Sequence, residues 1–349
     1  MPPTTRRLPL LPLLLVALLA SLLAACGDDD AEVMQDAASA EPASTSESAF
    51  PVTIEHALGT AEIEAAPERV VTWGWGSTDA AIALGVVPVA MPHQAYGGDE
   101  QGVLPWIRER LEADGAELPT ILPDSQEAPI EAIAAARPDL ILAPYSGLTQ
   151  EEYDLLREIA PTVAYPEAAW ATPWRDTIEL VGEALGRPDD AAQLLADIDA
   201  AVAEQAAAHP ELDGKTVAMV WPAPDTFYVY KPADARVAFT LDLGLVSAPS
   251  VEALEGDATT ADTFYYEVSH EQIGALESDI LVSYADTQEQ ADAFLAAPAA
   301  QQMAQVRDGR VAQVVGTEFI AAVSPPTALS LTWGLEEYVE ILSAVAEAA

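Results

Sequence analysis

One stretch of this chain occurs twice, half a chain apart. "APIEAIAAARPDLIL" at 128–142 returns in similar form as "VSHEQIGALESDILV" at 268–282. The aligned pairs are Glu131 with Glu271, Ile133 with Ile273, Ala135 with Ala275 and Asp139 with Asp279. Each copy has the pattern of a short helix that leads into a buried strand. A chain that carries this unit twice is expected to form two similar α/β lobes.

A long helix is predicted between the two copies. "DDAAQLLADIDAAVAEQAAAH" is unbroken, rich in alanine and bounded by a proline at each end. At 1.5 Å per residue it is about 30 Å long, the width of a small domain. On both sides the chain alternates between strand and helix patterns. We therefore expect an α/β fold with lobes at 50–187 and 211–349, each with a central parallel sheet, joined by one linking helix at 188–210.

Residues 1–26 have the pattern of a signal peptide. Arg6 and Arg7 precede an apolar run that contains two prolines and is shorter than a comfortable membrane span. The run ends in "LAAC", which resembles the bacterial lipobox, and Cys26 is the sole cysteine of the chain. We expect cleavage before Cys26 and lipidation of its thiol. The alternative is an ordinary secretory signal with a chance cysteine.

Residues 27–49 are acidic, rich in alanine and serine, and without an apolar period. Such a composition predicts a disordered tether, because it cannot bury a core. Signal, lipid and tether together place the folded part outside the cytoplasm, lipid-anchored to the outer face of the cell membrane.

The charge balance excludes some partners. The chain has 57 acidic against 14 basic residues and a formal net charge of −43. Nucleic acids need clustered basic residues, so no nucleic-acid partner is expected. Anionic lipid headgroups would repel the protein surface equally, which leaves the lipid anchor as the means of membrane attachment.

Several stretches carry a resemblance to a known family. "PERVVTWGWGSTDAAIALGVVPVA" and "RPDLILAPYSGLTQEEYDLLREIAPTVAY" are similar to segments of iron–siderophore-binding lipoproteins of bacterial ABC importers, and "LVGEALGR" and "DGRVAQVV" are shorter typical pieces. The resemblance covers the chain from Phe50 to its end. It implies the helix-linked fold of the ferrichrome- and cobalamin-binding superfamily, a ligand cleft between the lobes, and a monomer that delivers its cargo to an ABC permease dimer with its ATPase.

The resemblance also gives the repeated glutamates a role. In this family a glutamate on each lobe docks on arginines of one permease half, which implies permease docking for Glu131 and Glu271. The simpler interpretation is an acidic residue in the first turn of a helix, where the helix dipole favours it. The two interpretations are compatible.

A chelated metal is a better expected ligand than a bare ion. The four histidines, His56, His93, His209 and His270, are scattered, whereas direct metal capture needs three or four converging ligands. No metal site and no cofactor are therefore expected. A ferric siderophore is expected to bind in an aromatic cleft that has a few polar groups pointing toward the ligand. The aromatic candidates at predicted strand ends and loops are Trp73, Trp75, Tyr145, Trp170, Trp221, Tyr230, Tyr265 and Tyr266. For each of them, core packing is about as probable as ligand contact.

Few basic residues are available to the cleft. Lys231 and Arg236 follow the aromatic cluster of the second lobe, and Arg236 is the preferred ligand contact; a surface pair with Asp234 or Asp242 is the alternative. Two cations do not offset the triple negative charge of a ferric tricatecholate. The sequence therefore favours a hydroxamate-type ferric siderophore, which is neutral or positive.

Other functions remain open at this point. The same fold is compatible with another metal chelate such as cobalamin or haem. "GWGST" places Ser77 on a strand-to-helix turn as in some hydrolases, although the flanking pattern differs and no other catalytic motif is present. A surface interaction protein without transport is the third class. We expect a binding protein and not an enzyme.

Overall fold

The structure is a computed structural model that describes residues 49–224, 226–254 and 263–349. The predicted signal peptide with Cys26, and the predicted tether apart from Ala49, lie outside the described residues. Among the described helices, none is long and apolar enough to cross a membrane. The described residues belong to one compact unit.

An antiparallel hairpin opens the described chain. Strand β1 (Val52–His56) pairs with β2 (Gly59–Ile63). The hairpin packs on the first lobe, where Nε2 of His56 lies 3.1 Å from the carbonyl oxygen of Thr162. Burial lowers the pKa of His56, so the ring is neutral and its Nε2–H donates to that carbonyl.

The amino-terminal lobe is built on a five-stranded parallel sheet in the order β5-β4-β3-β6-β7. Its strands are β3 (Val70–Thr72), β4 (Ala90–Met91), β5 (Thr120–Ile121), β6 (Leu140–Leu142) and β7 (Thr162–Val163). Its helices are α1 (Ser77–Ala83), α2 (Pro105–Asp114), α3 (Ile130–Ala136), α4 (Gln150–Leu156) and α5 (Trp174–Ala184). Helix α4 begins with a capping box in which Thr149 and Glu152 exchange hydrogen bonds.

The predicted linking helix is present as α6 (Pro188–Ala208). Proline stands at its first turn with Asp189 and Asp190 beside it, which suits the free N–H groups and the dipole of a helix start. The helix ends two residues before the predicted boundary, because Pro210 begins a 3₁₀ turn (Pro210–Leu212).

The carboxy-terminal lobe has a mixed sheet in the order β11-β9-β8-β12-β13, with β10 paired to β8. Its strands are β8 (Thr216–Pro222), β9 (Phe227–Tyr230), β10 (Val246–Ser247), β11 (Tyr265–Val268), β12 (Ile280–Ala285) and β13 (Val311–Val315). Its helices are α7 (Ala235–Asp242), α8 (Pro249–Glu252), α9 (Gln288–Ala296), α10 (Ala304–Arg307), α11 (Thr317–Val323) and α12 (Ser330–Ala346). Short 3₁₀ turns lie at Ile273–Ala275 and Ala300–Gln302.

The expectation of a parallel sheet is only partly right for this lobe. Strand β9 runs antiparallel to β8 and to β11. The amide of Ala223 donates to the carbonyl oxygen of Thr226 (3.0 Å) and closes a tight turn between β8 and β9. A tight turn can join only antiparallel strands, since a parallel pair needs a long crossover.

The two copies of the repeat share one structural role. Asp139 accepts hydrogen bonds from the amides of Glu68 and Arg69 (both 2.8 Å), which lead into β3. Asp279 accepts from the amide of Thr216 (2.8 Å), the first residue of β8. Each aspartate thus ties the start of its own strand to the start of the neighbouring strand.

The copies differ at the glutamates. Glu131 lies in the first turn of α3 as predicted, but Glu271 lies in a turn before a single 3₁₀ turn, so the predicted helix at its position is wrong. Gly274 stands where the first copy has Ala134, and glycine disfavours a helix by roughly 1 kcal/mol relative to alanine. Both glutamates are exposed.

Candidate functional site

Loops at the carboxyl edge of the first sheet carry aromatic residues toward the second lobe. Trp75 follows β3, Tyr96 follows β4, and Tyr145 follows β6. The loops after β3 and β6 touch closely at Gly74, where a Cβ atom would lie 2.2 Å from the carbonyl oxygen of Tyr145. Only glycine permits this approach, and its φ of +85° lies in the left-handed region as well.

A narrow crevice separates the lobes at this edge. It is lined by Trp75, Gly76, Tyr145, Thr172, Trp174, Thr177 and Ile178 from the first lobe and by Ala235 and Pro325–Ala328 from the second. Nε1 of Trp75 donates to the carbonyl oxygen of Pro325 (3.2 Å), which fixes the indole at the lobe boundary. The crevice lies between the lobes, where the sequence predicts the ligand cleft.

Beside the crevice, the second lobe carries an ion pair between a buried aspartate and a partly buried arginine. Asp234 caps helix α7 by accepting from the amide of Arg236 (3.0 Å), and Nε of Arg236 donates to the same carboxylate oxygen (2.7 Å). The guanidinium also covers Tyr230, with Cζ 3.9 Å from the ring centroid. Burial raises the pKa of Asp234 despite the neighbouring guanidinium, and Arg236 stays protonated. Asp234, one of the two surface partners expected as alternatives for Arg236, is therefore its partner, but the aspartate is buried and the arginine is partly buried.

Further aromatic rings pack around this pair. Trp221 stacks on Tyr284 with ring centroids 6.0 Å apart, and Tyr284 meets Tyr230 edge to face at the same distance. Phe264 stacks on Tyr230 (6.4 Å) and meets Tyr265 edge to face (5.0 Å). The result is an aromatic floor around one cation.

The two lobes meet across the cleft at two tyrosines. Burial raises the pKa of Tyr145 in the first lobe, the charge of Asp234 in the second lobe raises it further, and the charge of Arg236 opposes the rise. Tyr96 donates its hydroxyl to Oδ1 of Asp286 (2.9 Å), just after β12. We call Trp75, Tyr96, Tyr145 and Trp170 the aromatic wall, and Asp234, Arg236 and Asp286 the charged wall.

Aromatic rings on both sides are open to solvent, with Tyr96 (41% exposed) among them. Trp170 is 55% exposed and meets Tyr145 edge to face (5.7 Å); Phe264 is 52% exposed. Trp170 also has a φ of 58°, which a bulky side chain rarely adopts. Exposed aromatic rings beside an aromatic cleft, one of them on a strained backbone, are typical of a ligand site.

Of the predicted ligand residues, the structure brings most to the cleft but not all. Trp75, Tyr145, Trp170, Trp221, Tyr230, Arg236 and Tyr265 lie at the cleft or against its aromatic floor. Trp73 is instead buried in the core on the other face of the first sheet, with Ala143 and Tyr165.

The adjacent tyrosines of β11 divide between the two faces of their sheet. Tyr265 packs toward the cleft, whereas Tyr266 is buried with Phe227 in the core of the opposite face. Lys231 covers the Tyr266 ring, with Nζ 4.9 Å from its centroid, and so follows Tyr266 away from the ion pair. Strand alternation explains the split, because neighbouring side chains point to opposite faces.

Four further residues of this region were not predicted from the sequence: Tyr96, Phe264, Tyr284 and Asp286. Asp286 follows β12 of the second lobe, as Trp75 follows β3 of the first, so its position after a strand was a usable signal. Tyr96 gave no such signal, because it lies within a long irregular loop.

Behind the crevice, a second buried carboxylate joins the lobes. Asp79 of α1 is 1% exposed and accepts from Nε1 of Trp106 (2.6 Å) and from the hydroxyl of Thr327, which belongs to the second lobe. Burial raises the pKa of Asp79 to about 6, against the opposing effect of these hydrogen bonds.

Two other kinds of site lack support. Among the described residues, no group of three His, Cys, Asp or Glu side chains is placed to hold a metal ion. Ser77 is fully buried and donates to the carbonyl oxygen of Trp73, so the hydrolase-like turn exposes no nucleophile.

The chain belongs to the periplasmic binding protein family, whose model matches residues 70–314. It is 34% identical over 170 residues to the probable siderophore-binding lipoprotein YfiY of Bacillus subtilis, an alignment that covers 48% of this chain and about half (49%) of that relative. It is 26% identical over 282 residues to the ferric enterobactin-binding periplasmic protein FepB of Escherichia coli, covering 77% of this chain and 85% of FepB.

Among solved structures, the chain is similar to PiaA of Streptococcus pneumoniae in complex with ferrichrome. The TM-score is 0.76 at 32% identity, over 85% of this chain and 99% of PiaA. The family and this fold match confirm the predicted α/β architecture and the prediction of a binding protein over an enzyme.

Proposed function

We propose that this chain is an extracytoplasmic solute-binding protein that captures a ferric siderophore and delivers it to an ABC permease. The observation that carries the proposal is the interlobe crevice lined by aromatic rings of the first lobe, beside the partly buried Arg236 that aromatic rings of the second lobe cover. Such a surface suits a bulky organic chelate, whose polar oxygens need one or two donors. The names of YfiY, FepB and PiaA support the same ligand class.

A hydroxamate-type chelate fits the charges better than a catecholate. Arg236 is already paired with Asp234, so the pair contributes no net positive charge. A guanidinium has five N–H donors, and its Nε bond to Asp234 engages one of them. Arg236 therefore has the capacity to donate to iron-bound oxygens of a neutral complex. A triply anionic complex would enter the cleft without a cation to offset it.

Tryptophan fluorescence of the purified protein tests this proposal. We expect a ferric trihydroxamate to quench the emission with tighter binding than a ferric tricatecholate, at both low and high salt. Haem and cobalamin serve as further arms of the titration. Tighter binding of the tricatecholate at both salt concentrations would contradict the charge argument. Binding of haem or cobalamin, without binding of either siderophore, would contradict the proposal that the ligand is a ferric siderophore.

We also propose that Glu131 and Glu271 dock on the two halves of the permease. Both are exposed and precede strands β6 and β12, at the sheet edge opposite the carboxyl ends that form the cleft. The Glu131→Ala, Glu271→Ala double variant should bind ligand normally in solution but support less uptake in cells. The matched control replaces Glu151 and Glu289, which are exposed first-turn glutamates of α4 and α9. Equal loss of uptake in the control, or lost ligand affinity in the double variant, would contradict docking.

Anchoring by Cys26 is the remaining part of the proposal. The lipobox-like "LAAC" and the relative named a lipoprotein support it. Cys26→Ser should move the protein from the membrane fraction to the soluble fraction or the medium. A variant that stays with the membrane after fractionation would show that another feature holds it there.

A further inference from the structure

A carboxylate that a neutral chelate does not need lies at the boundary between the lobes. Asp286 follows β12, and within the described residues its side chain makes one hydrogen bond, with the Tyr96 hydroxyl (2.9 Å). Across residues 49–224, 226–254 and 263–349, no basic side chain pairs with it. Asp286 is half-buried, so ligand groups have access to it.

Tyr96 is the donor of this hydrogen bond and the Asp286 carboxylate is the acceptor. Burial raises the pKa of the Tyr96 hydroxyl, and the hydrogen bond and the charge of Asp286 raise it further. The charge of Arg236 opposes this rise, and the tyrosine therefore remains the donor to the carboxylate.

The charges around this point do not cancel. Asp234 neutralises Arg236, and Lys231 lies over Tyr266, whose ring belongs to the other face of the sheet. Asp286 then leaves the charged wall with a net negative charge, and the overall charge of −43 has the same sign. A cleft of this kind attracts a cation and disfavours an anion.

We propose that Asp286 binds a protonated amine on the ligand, so that the preferred cargo is a ferric hydroxamate with an ammonium group outside its chelating arms. The ammonium would take the place of the Tyr96 hydroxyl on the carboxylate or share the carboxylate with it, against the face of an aromatic ring that also favours cations. This inference rests on the proposed siderophore function and specifies the ligand of that same site.

Two ligands that differ by one charge test the inference. The first is a linear ferric trihydroxamate with a free terminal amine, and the second is the same complex with the amine acetylated. Wild-type protein should bind the amine form about fivefold more tightly at low salt, as for a partly exposed ion pair, and less selectively at high salt. Asp286→Asn should bring the ratio of the two dissociation constants to about one.

Two further variants separate charge from contact. Tyr96→Phe removes the interlobe hydrogen bond but keeps the carboxylate, so the preference should persist. Asp154→Asn makes the same change of net charge on the exposed side of α4 and should also keep it.

Equal affinities in the wild type, or a preference that survives Asp286→Asn, would overturn the inference and leave Asp286 as an interlobe contact only. In both of those cases the proposed function stands, since the chelate still binds. Binding of neither complex would overturn the trihydroxamate proposal and this inference together.

Discussion

Within the described residues, each lobe buries one aspartate, and the two are held in different ways. Asp79 in the first lobe is held by neutral donors, Trp106 and Thr327, at the base of the interface. Asp234 in the second lobe is paired with Arg236 at the cleft. The repeated sequence therefore forms part of a similar sheet in both lobes, but the two lobes do not carry similar sites. Arg236, the cation of this pair, belongs to the second lobe and lies next to the antiparallel strands that distinguish that lobe.

The largest expected effect comes from removing the partner of Asp234. Arg236→Ala leaves a buried carboxylate without its cation, which should lower the free energy of unfolding by about 3–5 kcal/mol. The double variant Arg236→Ala, Asp234→Ala should lose less, because no charge is stranded. Urea unfolding followed by circular dichroism measures both. A double variant as unstable as the single one would show that packing, and not the ion pair, holds this corner.

Removing the charge of Asp79 is expected to stabilise the protein, whereas removing the partner of Asp234 should destabilise it. Its pKa of about 6 lies above the usual 3.8, so the folded state holds a proton between about pH 4 and 6 that the unfolded chain has lost. This residue therefore makes the protein less stable as pH rises through that window, by about 3 kcal/mol in total. Asp79→Asn keeps the acceptor for Trp106 and Thr327 and should be more stable at pH 7 by a similar amount.

The pH dependence gives the control for this prediction. The difference between the unfolding free energies at pH 4 and pH 7 should be smaller for Asp79→Asn than for the wild type. Asp154→Asn, at an exposed helix position, should keep the wild-type difference. The prediction is contradicted if Asp79→Asn is less stable than the wild type at pH 7. The hydrogen bonds to the carboxylate would then stabilise the fold by more than the burial of its charge destabilises it.

Much of the fold could be predicted from the sequence, because its signals are local and periodic. Helix α6 and the two repeat units follow from apolar period, proline and alanine content. The antiparallel strands of the second lobe did not follow, since a short β-rich segment carries no sign of its direction. The 3₁₀ turn beside Glu271 depends on a single glycine at 274.

The site was less predictable than the fold. Arg236 emerged because the chain has so few cations, but its burial with Asp234 depends on the cap of α7. Trp73 and Tyr266 were assigned to the cleft with their neighbours Trp75 and Tyr265, and strand register separated each pair. Tyr96 and Asp286 meet across the lobes, and a contact 190 residues apart in the chain leaves no local pattern.

The aromatic wall should tolerate substitution better than the charged wall. Trp170→Ala removes a ring that is 55% exposed, so the free energy of unfolding should change by no more than about 0.5 kcal/mol. Ligand affinity should fall severalfold, because the ring covers one side of the cleft. Leu155→Ala, at an exposed apolar residue of α4, is the matched control and should leave affinity unchanged. Unchanged affinity for Trp170→Ala would remove this residue from the site.

The smallest expected effect is on shape. Helix α6 is continuous, and helix geometry leaves less φ/ψ freedom than a hinge of extended strands. Interlobe contacts at Trp75 and Asp79 add to this restraint. Solution scattering should therefore give the same radius of gyration for the free and the loaded protein within error. A clear decrease on loading would show that the lobes close by a hinge motion.

The position of bound iron tests whether the ligand lies between the aromatic wall and Arg236. Crystals of the protein with a ferric trihydroxamate, measured at the iron absorption edge, would locate the metal by anomalous scattering. We predict one iron peak between the aromatic wall and Arg236, with chelate oxygens within hydrogen-bond distance of the guanidinium. An iron peak outside the cleft, such as in the pocket that Glu271 and Tyr266 line on the other side of the second lobe, would contradict it.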